Sequence, residues 1–459
     1  MKTKTLIAVF VCLLFTNCLF AQRGDVYQRS KEYEPPTDSL VLNKLSRWQD
    51  LKFGVLFHWG IYSVPGIMES WYLCADDWIK RDTTQTYQQF KDWYWGLSKK
   101  FNPVKFNPDQ WANVMKDAGM KYVLFTTKHH DGFCMFDSKY TDYSIANGPF
   151  KDNPKRDVAK YVFDAFRRQD FMIGAYFSKP DWHSQYYWWD VYPTGNRNVN
   201  YNIKTFPWRW KMFTKFVHNQ VEELMTRYGS MDILWLDGGQ VNKYNNQDID
   251  MPGLAQMARS HQPGLIMVDR TIHGPYENYQ TPENQIPNQQ LSYPWESCIT
   301  LTDSWGWSPK TNFKSPAKVI NMLVEIVAKG GCLVLGVGPT PEGLIEQESV
   351  NRLHQIGLWM HTNGKAIYNT RITTNYHSGN TWFTADKNGK TIYAIYTVGD
   401  KETIPATISW EGNIPKKGSK VILLKTGKTV KWKSDGNAVT IVLPKKIANE
   451  SLAFSFNVK

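Results

Sequence analysis

The chain has 459 residues, of which 21% are charged and 42% hydrophobic, and its formal net charge is +12. This length exceeds one average domain, so we expect two domains, one of them large. The basic residues are dispersed with no block of five or more, which argues against a nucleic-acid partner and indicates a charged surface. Aromatic residues reach 15%, with 20 tryptophans, which fits a large core and also the stacking of sugar rings on indoles.

The N-terminus carries the pattern of a secretion signal. Lys2 and Lys4 precede an apolar run over residues 6–15, and Ala21 offers a small residue for cleavage. We therefore predict a signal peptide over residues 1–21 and a periplasmic or secreted protein. The apolar run is too short to span a membrane stably. Cys18 is an alternative site for a lipid anchor, although Asn17 is a poor residue immediately before such a cysteine.

Short apolar runs alternate with helical patterns over the next 300 residues or so. One helix is predicted to start at Asn107-Pro108, a longer one spans about residues 208–228, and a third opens at Ser315-Pro316. Continuous apolar runs indicate strands covered on both sheet faces. The alternation predicts an α/β fold, a (β/α)8 TIM-like barrel over residues 22–362. A doubly wound open sheet is the alternative, but no glycine-rich nucleotide fingerprint supports it. The predicted strands are residues 53–59, 121–127, 172–178, 233–236, 265–268 and 332–337.

The pattern changes near Asn363-Gly364. Helical periodicity disappears, and short runs rich in β-branched and aromatic residues follow, such as residues 391–396, with a hairpin signal over residues 387–390. This predicts a small all-β sandwich over residues 363–459.

Polar side chains follow the predicted strands one after another. In a barrel of parallel strands, such residues converge on one mouth, where active sites lie. This convergence is a stronger signal than any single motif. The residues concerned are His58, His129, His130, Tyr176, Asp237 and Arg270.

Two carboxylates in tryptophan-rich frames suggest sugar hydrolysis. Asp237 closes Trp235-Leu236-Asp237-Gly238, and Glu296 lies in Tyr293-Pro294-Trp295-Glu296. Retaining hydrolysis needs an ionised nucleophile and a protonated acid/base about 5 Å apart. We assign Asp237 as the nucleophile and Glu296 as the acid/base, although each alone could be an ordinary turn or surface residue.

The other polar residues have plain structural readings as well. His58 alone is better explained as a satisfied core histidine, and Arg270 could simply pair with a barrel carboxylate. A metal on His129 and His130 is disfavoured, because adjacent side chains on a strand point to opposite faces. Hydrogen bonds to sugar hydroxyls suit these histidines better.

These residues lie in a series of motifs that resemble the α-L-fucosidases of glycoside hydrolase family 29. The resemblance covers about residues 40–370 in order. The matching segments are residues 53–60 (FGVLFHWG), 128–133 (KHHDGF), 235–238 (WLDG), 295–298 (WESC), 304–307 (SWGW), 336–340 (GVGPT) and 363–368 (NGKAIY).

The resemblance implies a barrel enzyme that removes terminal α-L-fucose from glycans with retention of configuration, without a metal or an organic cofactor. It puts the nucleophile on Asp237 and the acid/base on Glu296, with Glu283 in reserve because the acid/base position varies between branches. The implied sugar-contacting and wall residues are His58, Trp71, His129, His130, Tyr176, Trp235, Arg270 and Trp305.

One segment departs from the family pattern. Many members have Glu directly before the tryptophan that aligns with Trp71, whereas here Glu69 comes one residue earlier and Ser70 intervenes. Either Glu69 or Ser70 therefore fills that pocket position. A glycosidase for a related sugar such as α-L-galactose, and a glycan-binding protein without turnover, remain alternative functions. The expected partner is a fucosylated oligosaccharide or glycoconjugate, and the sequence does not fix the oligomeric state.

Overall fold

The structure is a computed structural model that describes residues 33–76, 78–81 and 84–458. The predicted signal peptide and Cys18 lie outside these residues. Within them, every helix is either too short or too polar to cross a membrane.

Seven parallel strands form the central sheet. Their order is β5-β4-β3-β2-β1-β7-β6, so that β1 lies between β2 and β7. This confirms the predicted TIM-like architecture, with seven parallel strands in the described part of the chain where eight were expected. The strands are β1 (Phe53–Phe57), β2 (Tyr122–Lys128), β3 (Met172–Ser178), β4 (Ile233–Asp237), β5 (Ile266–Asp269), β6 (Glu296–Thr300) and β7 (Cys332–Gly336).

An irregular segment, residues 277–283, lies between the two edge strands. The Asn278 amide donates to the Met267 carbonyl on β5, and isolated bridges then join Gln280 to Trp295 and Glu283 to Cys298 beside β6. These bonds satisfy backbone groups that an open edge would expose. The segment therefore takes the place of an eighth strand and carries Glu283 along the barrel wall.

Eight α-helices accompany the strands in the described residues. The Asn107 side chain accepts a hydrogen bond from the Gln110 amide, and Ser315 accepts one from Lys318, so both predicted helix starts are confirmed as N-caps. The helices are α1 (Ser39–Leu51), α2 (Tyr87–Trp95), α3 (Pro108–Asp117), α4 (Val158–Arg167), α5 (Pro207–Arg227), α6 (Met251–His261), α7 (Pro316–Ala328) and α8 (Gln347–Asn363).

The apolar core has two parts around the sheet. A larger cluster lies between the strands and the surrounding helices, and a smaller one fills the barrel interior. Trp48 of α1 belongs to the interior cluster and stacks on Tyr279 with 4.0 Å between ring centroids. Helix α1 therefore closes the amino-terminal end of the barrel, and the opposite end is left for a pocket.

The C-terminal residues form an antiparallel β-domain, as predicted. The strand order is β11-β14-β13-β12-β15-β10-β9-β8. Strand β13 pairs with β12 through residues 428–430 and with β14 through residues 431–435, so all eight strands form one continuous, nearly closed antiparallel barrel where a sandwich was predicted. Trp410 and Phe456 stack across the shared core. The strands are β8 (His377–Ser378), β9 (Thr381–Ala385), β10 (Thr391–Tyr396), β11 (Thr407–Glu411), β12 (Val421–Leu423), β13 (Lys428–Asp435), β14 (Ala438–Val442) and β15 (Leu452–Asn457).

The β-domain is attached to the helical shell of the barrel. The indole of Trp359 on α8 donates a 2.7 Å hydrogen bond to the Ser451 carbonyl, and Asn321 on α7 donates to the Val398 carbonyl. These contacts lie on the outside of the barrel, and they hold the β-domain against α7 and α8.

Candidate active site

Asp237 is the last residue of β4 and lies at the carboxyl end of the barrel. Its Oδ2 accepts a 2.5 Å hydrogen bond from the Tyr176 hydroxyl, and its Oδ1 accepts a 3.1 Å ion-pair bond from Arg270. Nε2 of His130 lies 3.7 Å from the same carboxylate. Three predicted site residues thus surround the Asp237 carboxylate at the mouth of the barrel.

The surroundings of Asp237 favour its ionised form. Burial raises the pKa of this carboxyl, but the Arg270 charge, the nearby His130 and the Tyr176 hydrogen bond outweigh burial and hold the pKa well below its usual range. Asp237 is therefore ionised at neutral pH. An ionised, oriented carboxylate in a buried site is suited to nucleophilic attack.

Arg270 joins Asp237 to a second carboxylate. Its Nη1 donates to Asp237 and its Nη2 forms an ion pair with Oε2 of Glu283, while the Trp305 indole donates a 3.0 Å hydrogen bond to Oε1 of Glu283. The Glu283 side chain is 45% exposed, whereas Asp237 is 15% exposed. One guanidinium thus holds two acids of different exposure side by side at the mouth.

Glu296 lies elsewhere, in contrast to its predicted place beside Asp237. It is the first residue of β6, pairs with Cys332 at the start of β7 and is 0% exposed. Its Oε2 accepts a 2.6 Å hydrogen bond from Tyr122, the first residue of β2. Since the strands are parallel, these first residues lie towards the end that α1 closes. The structure brings Asp237 and Glu283 together, and it leaves Glu296 deep in the barrel.

Burial also gives Glu296 an unusual pKa. It raises the pKa to about 8, although the Tyr122 hydroxyl and the Trp235 and Tyr279 side chains partly offset the effect. A buried carboxyl that is protonated at neutral pH and bonded to a tyrosine is an ordinary way to satisfy a polar group in a core. The Tyr122 hydrogen bond satisfies one oxygen of Glu296, while Oε1 has no hydrogen-bond partner among the described residues.

The three predicted histidines lie around the same mouth. The rings of His129 and His130 are 4.3 Å apart, and His58 lies edge-on to Tyr176 at 5.1 Å. All three are almost fully buried, and burial lowers their pKa values, that of His129 to about 4. They are therefore neutral, so each ring has one donor and one acceptor nitrogen, and His129 already uses Nδ1 in a hydrogen bond with Ser70. Among the described residues, Nδ1 of His58 and Nδ1 of His130 have no hydrogen-bond partner.

Both adjacent histidines face the pocket because they follow β2 rather than belong to it. Strand β2 ends at Lys128, so the alternation of side chains no longer applies at residues 129 and 130. Ligand atoms of His129, His130 and Asp237 lie within 4.8 Å of one another, which is close enough for a metal. Asp237 is already bonded to Arg270 and Tyr176, which suits a site without a cation. The absence of a metal stays a prediction.

Tryptophan rings form the walls and floor of the pocket. Trp71 lies edge-on to His130 at 4.8 Å, Trp305 packs against His58 at 5.0 Å, and Trp235 lies beneath the Arg270 guanidinium at 5.0 Å. Arg197, which was not predicted, covers the Trp71 ring at 4.6 Å and forms an ion pair with Asp76. No signal in a single sequence singles out this arginine, because it lies on a long loop far from any motif.

Glu69 and Ser70 point in different directions. The Ser70 hydroxyl lies 2.6 Å from Nδ1 of His129, whereas the Glu69 carboxylate accepts a 2.7 Å hydrogen bond from the Gly306 amide. Ser70 therefore lies next to a predicted sugar contact. Glu69 is 2% exposed and is directed into the loop that carries Trp305.

This geometry can be compared with that of known proteins. A family model described as alpha-L-fucosidase matches residues 20–365. The chain belongs to the alpha-L-fucosidase family. It is a glycoside hydrolase, and the resemblance noted from the sequence is confirmed.

Relatives and solved structures cover most of the chain. Plasma alpha-L-fucosidase of Homo sapiens is 30% identical over 390 residues, which are 79% of this chain and 78% of that protein. A GH29 alpha-L-fucosidase of Bacteroides thetaiotaomicron, trapped as a covalent intermediate with 2-fluoro-fucosyl fluoride in a Glu-to-Gln variant, is 25% identical with a TM-score of 0.73, covering 95% of this chain and 99% of that one. Thermotoga maritima alpha-fucosidase in complex with fucose is 26% identical with a TM-score of 0.72, covering 93% and 100%.

Proposed function

We propose that this protein hydrolyses terminal α-L-fucosides with retention of configuration, with Asp237 as nucleophile and Glu283 as acid/base. The observation that carries the proposal is the Arg270 guanidinium, which bonds to both carboxylates at the mouth of the barrel. Retaining enzymes need two carboxyl groups about 5–5.5 Å apart, and a guanidinium that bonds to both acids keeps them close to each other. Glu296 is buried and bonded to Tyr122, and no ion pair joins it to Arg270 among the described residues.

In the first step, Oδ of ionised Asp237 attacks the anomeric carbon while the bond to the leaving oxygen breaks. Glu283 gives its proton to that oxygen, so the leaving group departs as a neutral alcohol. In the second step, Glu283 accepts a proton from water, and the hydroxide portion displaces Asp237 from the anomeric carbon. The exposure of Glu283 suits this role, since both the leaving group and water must reach it.

The remaining pocket residues suit the binding of one terminal sugar. Neutral His58, His129 and His130 offer hydrogen bonds to sugar hydroxyls. Fucose carries a methyl group where galactose has a hydroxymethyl group, and burying a methyl group against an apolar wall contributes about 0.8 kcal/mol. Trp71 and Trp305 are the candidate wall for this contact.

The similar structures support the same chemistry. One was trapped as a covalent intermediate with a fucosyl fluoride, and another was solved with fucose. A covalent sugar–enzyme intermediate is the mark of the retaining mechanism. We extend this proposal to fucosylated oligosaccharides or glycoconjugates as substrates outside the cytoplasm, in line with the predicted signal peptide.

Azide rescue distinguishes Glu283 from Glu296. Small anions attack the glycosyl-enzyme without base help, so azide restores cleavage of an activated nitrophenyl α-L-fucoside by Glu283→Ala and gives α-L-fucosyl azide. The matched variant Glu296→Ala gains nothing from azide, since that carboxyl lies in the barrel core. Rescue of Glu296→Ala alone would return the role to Glu296. Absence of turnover by the wild-type protein on this substrate would favour glycan binding without hydrolysis.

The sugar specificity is tested with a matched substrate pair. We expect nitrophenyl α-L-fucoside to be hydrolysed with a higher kcat/KM than nitrophenyl α-L-galactoside. One methyl-sized difference in a pocket is worth about 10- to 200-fold at most. A preference for the galactoside would assign the protein to the related sugar.

A further inference from the structure

A buried carboxylate holds the loop that carries Trp305. Oε1 of Glu69 accepts a 2.7 Å hydrogen bond from the Gly306 amide and a 3.2 Å hydrogen bond from the Ser304 hydroxyl. Both donors flank Trp305 in sequence. Glu69 therefore fixes this tripeptide from both sides.

The tripeptide in turn reaches the acid/base candidate. The Trp305 indole nitrogen donates a 3.0 Å hydrogen bond to Oε1 of Glu283, and its ring packs on His58. A shift of the loop would therefore move the donor that holds one oxygen of Glu283. The other oxygen is held by Arg270.

Two glycines pack against the opposite side of the loop. A Cβ on Gly338 would lie 2.3 Å from the Trp307 amide nitrogen, and one on Gly336 would lie 2.6 Å from the Trp305 ring. The loop is thus enclosed between Glu69 and the segment after β7. Glu69 supplies hydrogen-bond acceptors to the loop through Gly306 and Ser304.

We propose that Glu69 is a positioning residue that sets the orientation of Glu283 through Trp305, and that it does not contact the sugar. This inference rests on the proposed acid/base role of Glu283. It also explains why Glu69 lies one residue earlier than in the family pattern. The intervening residue, Ser70, contacts His129, and Glu69 bonds to the loop that carries Trp305.

The surroundings of Glu69 are consistent with its role as a hydrogen-bond acceptor. Burial raises its pKa to about 7, and the hydrogen bonds from Gly306 and Ser304 only partly offset this. Both accepted bonds end on one oxygen, and a carbonyl oxygen accepts as well as a carboxylate oxygen does. A glutamine therefore replaces the carboxyl without loss of the contacts, whereas alanine and aspartate lose them.

The test is a series of aryl α-L-fucosides whose leaving groups differ in pKa. Dinitrophenol needs little protonation to depart, whereas phenol depends on the general acid. We expect Glu69→Ala and Glu69→Asp to lose at least about 10-fold more kcat/KM on the phenyl than on the dinitrophenyl fucoside, within the range of general acid catalysis. Glu69→Gln is expected to stay within about 3-fold of wild type on both. Trp305→Phe should reproduce the selective loss.

Glu223 provides a matched control. It is also buried, and it accepts hydrogen bonds from a serine hydroxyl, that of Ser138, and from the Lys139 backbone amide, on α5 away from the mouth. Glu223→Ala is expected to lower the melting temperature without changing the leaving-group dependence. This separates positioning from a general loss of stability.

Two outcomes would overturn the inference. Equal losses on all leaving groups, with a raised KM in Glu69→Gln as well, would mean that Glu69 binds the sugar. An unchanged dependence in both Glu69→Asp and Trp305→Phe would mean that the loop does not act on Glu283. A wrong acid/base assignment gives a different result. If Glu283 is not the acid/base, the losses in Glu283→Ala will not depend on the pKa of the leaving group.

Discussion

The Tyr176 hydroxyl donates a 2.5 Å hydrogen bond to Oδ2 of Asp237 from the neighbouring strand, where Ser178 pairs with Asp237. The bond fixes the orientation of the carboxylate and favours its charge. Hydrogen bonds to charged groups contribute about 1.5–3 kcal/mol, so Tyr176→Phe should lower kcat by about 10- to 100-fold. Tyr122→Phe is the matched control, because it removes a phenol bonded to Glu296. We expect it to change the melting temperature and to leave kcat within a few-fold of wild type. The opposite pattern would contradict the assignment of the two carboxylates.

Replacement of the nucleophile, Asp237, is expected to cause the largest loss of kcat. Asp237→Ala is expected to lower kcat on a nitrophenyl fucoside by roughly 10³-fold or more, since no other group can form the covalent intermediate. Added azide should then attack the sugar directly and give β-L-fucosyl azide, the inverted product. Circular dichroism checks that the variant is folded. A near-full rate in a folded variant would refute the role of Asp237.

Glu296 is expected to make stability depend on pH. Its pKa is about 8 in the folded protein, above its ordinary value of 4.5, so its stabilising contribution is complete below pH 4.5 and is lost as the pH rises through 8. Each unit of difference corresponds to about 1.4 kcal/mol. Glu296→Gln cannot ionise. Its free energy of unfolding, relative to that of wild type, should therefore rise by a few kcal/mol as the pH increases from 4.5 to 8. Urea unfolding at the two pH values measures this. A difference that does not change with pH would show that Glu296 is not a buried acid.

Arg197 is expected to support substrate binding through Trp71. Its guanidinium covers the Trp71 ring and pairs with Asp76, so Arg197→Ala should loosen one wall of the pocket. A cation–π contact of this kind predicts a rise in KM of about 2- to 10-fold with little change in kcat. Arg168→Ala, which removes an exposed ion pair with Asp109, is the control. An equal effect of both substitutions would exclude a specific role for Arg197.

The histidine and aspartate cluster at the mouth is expected to work without a metal. Its ligand atoms are close enough for an ion, but Asp237 is already bonded to Arg270 and Tyr176. Prolonged dialysis against EDTA should leave kcat/KM unchanged within error. A loss that added zinc or manganese restores would contradict this prediction.

The fold was predictable in its main features because buried parallel strands leave a strong apolar signal. The predicted runs lie on β1, β2, β3, β4, β5 and β7, and the capping residues Asn107 and Ser315 mark true helix starts. Strand β6 was not predicted, because its residues Glu296–Thr300 include several polar side chains although all are buried. The frame Tyr293-Pro294-Trp295-Glu296 does not indicate that Glu296 begins a buried strand.

The sequence by itself determined the family, the alternation of strands and helices, and the polar residues that follow the strands, since these depend on local order along the chain. Only the tertiary structure decided which glutamate stands beside Asp237 and whether Glu69 or Ser70 lies next to His129. Those choices depend on which end of a strand a residue occupies and on which distant loop it meets. Arg270, Trp305 and Glu283 are separated along the chain, and they meet because the segment beside β6 closes the barrel.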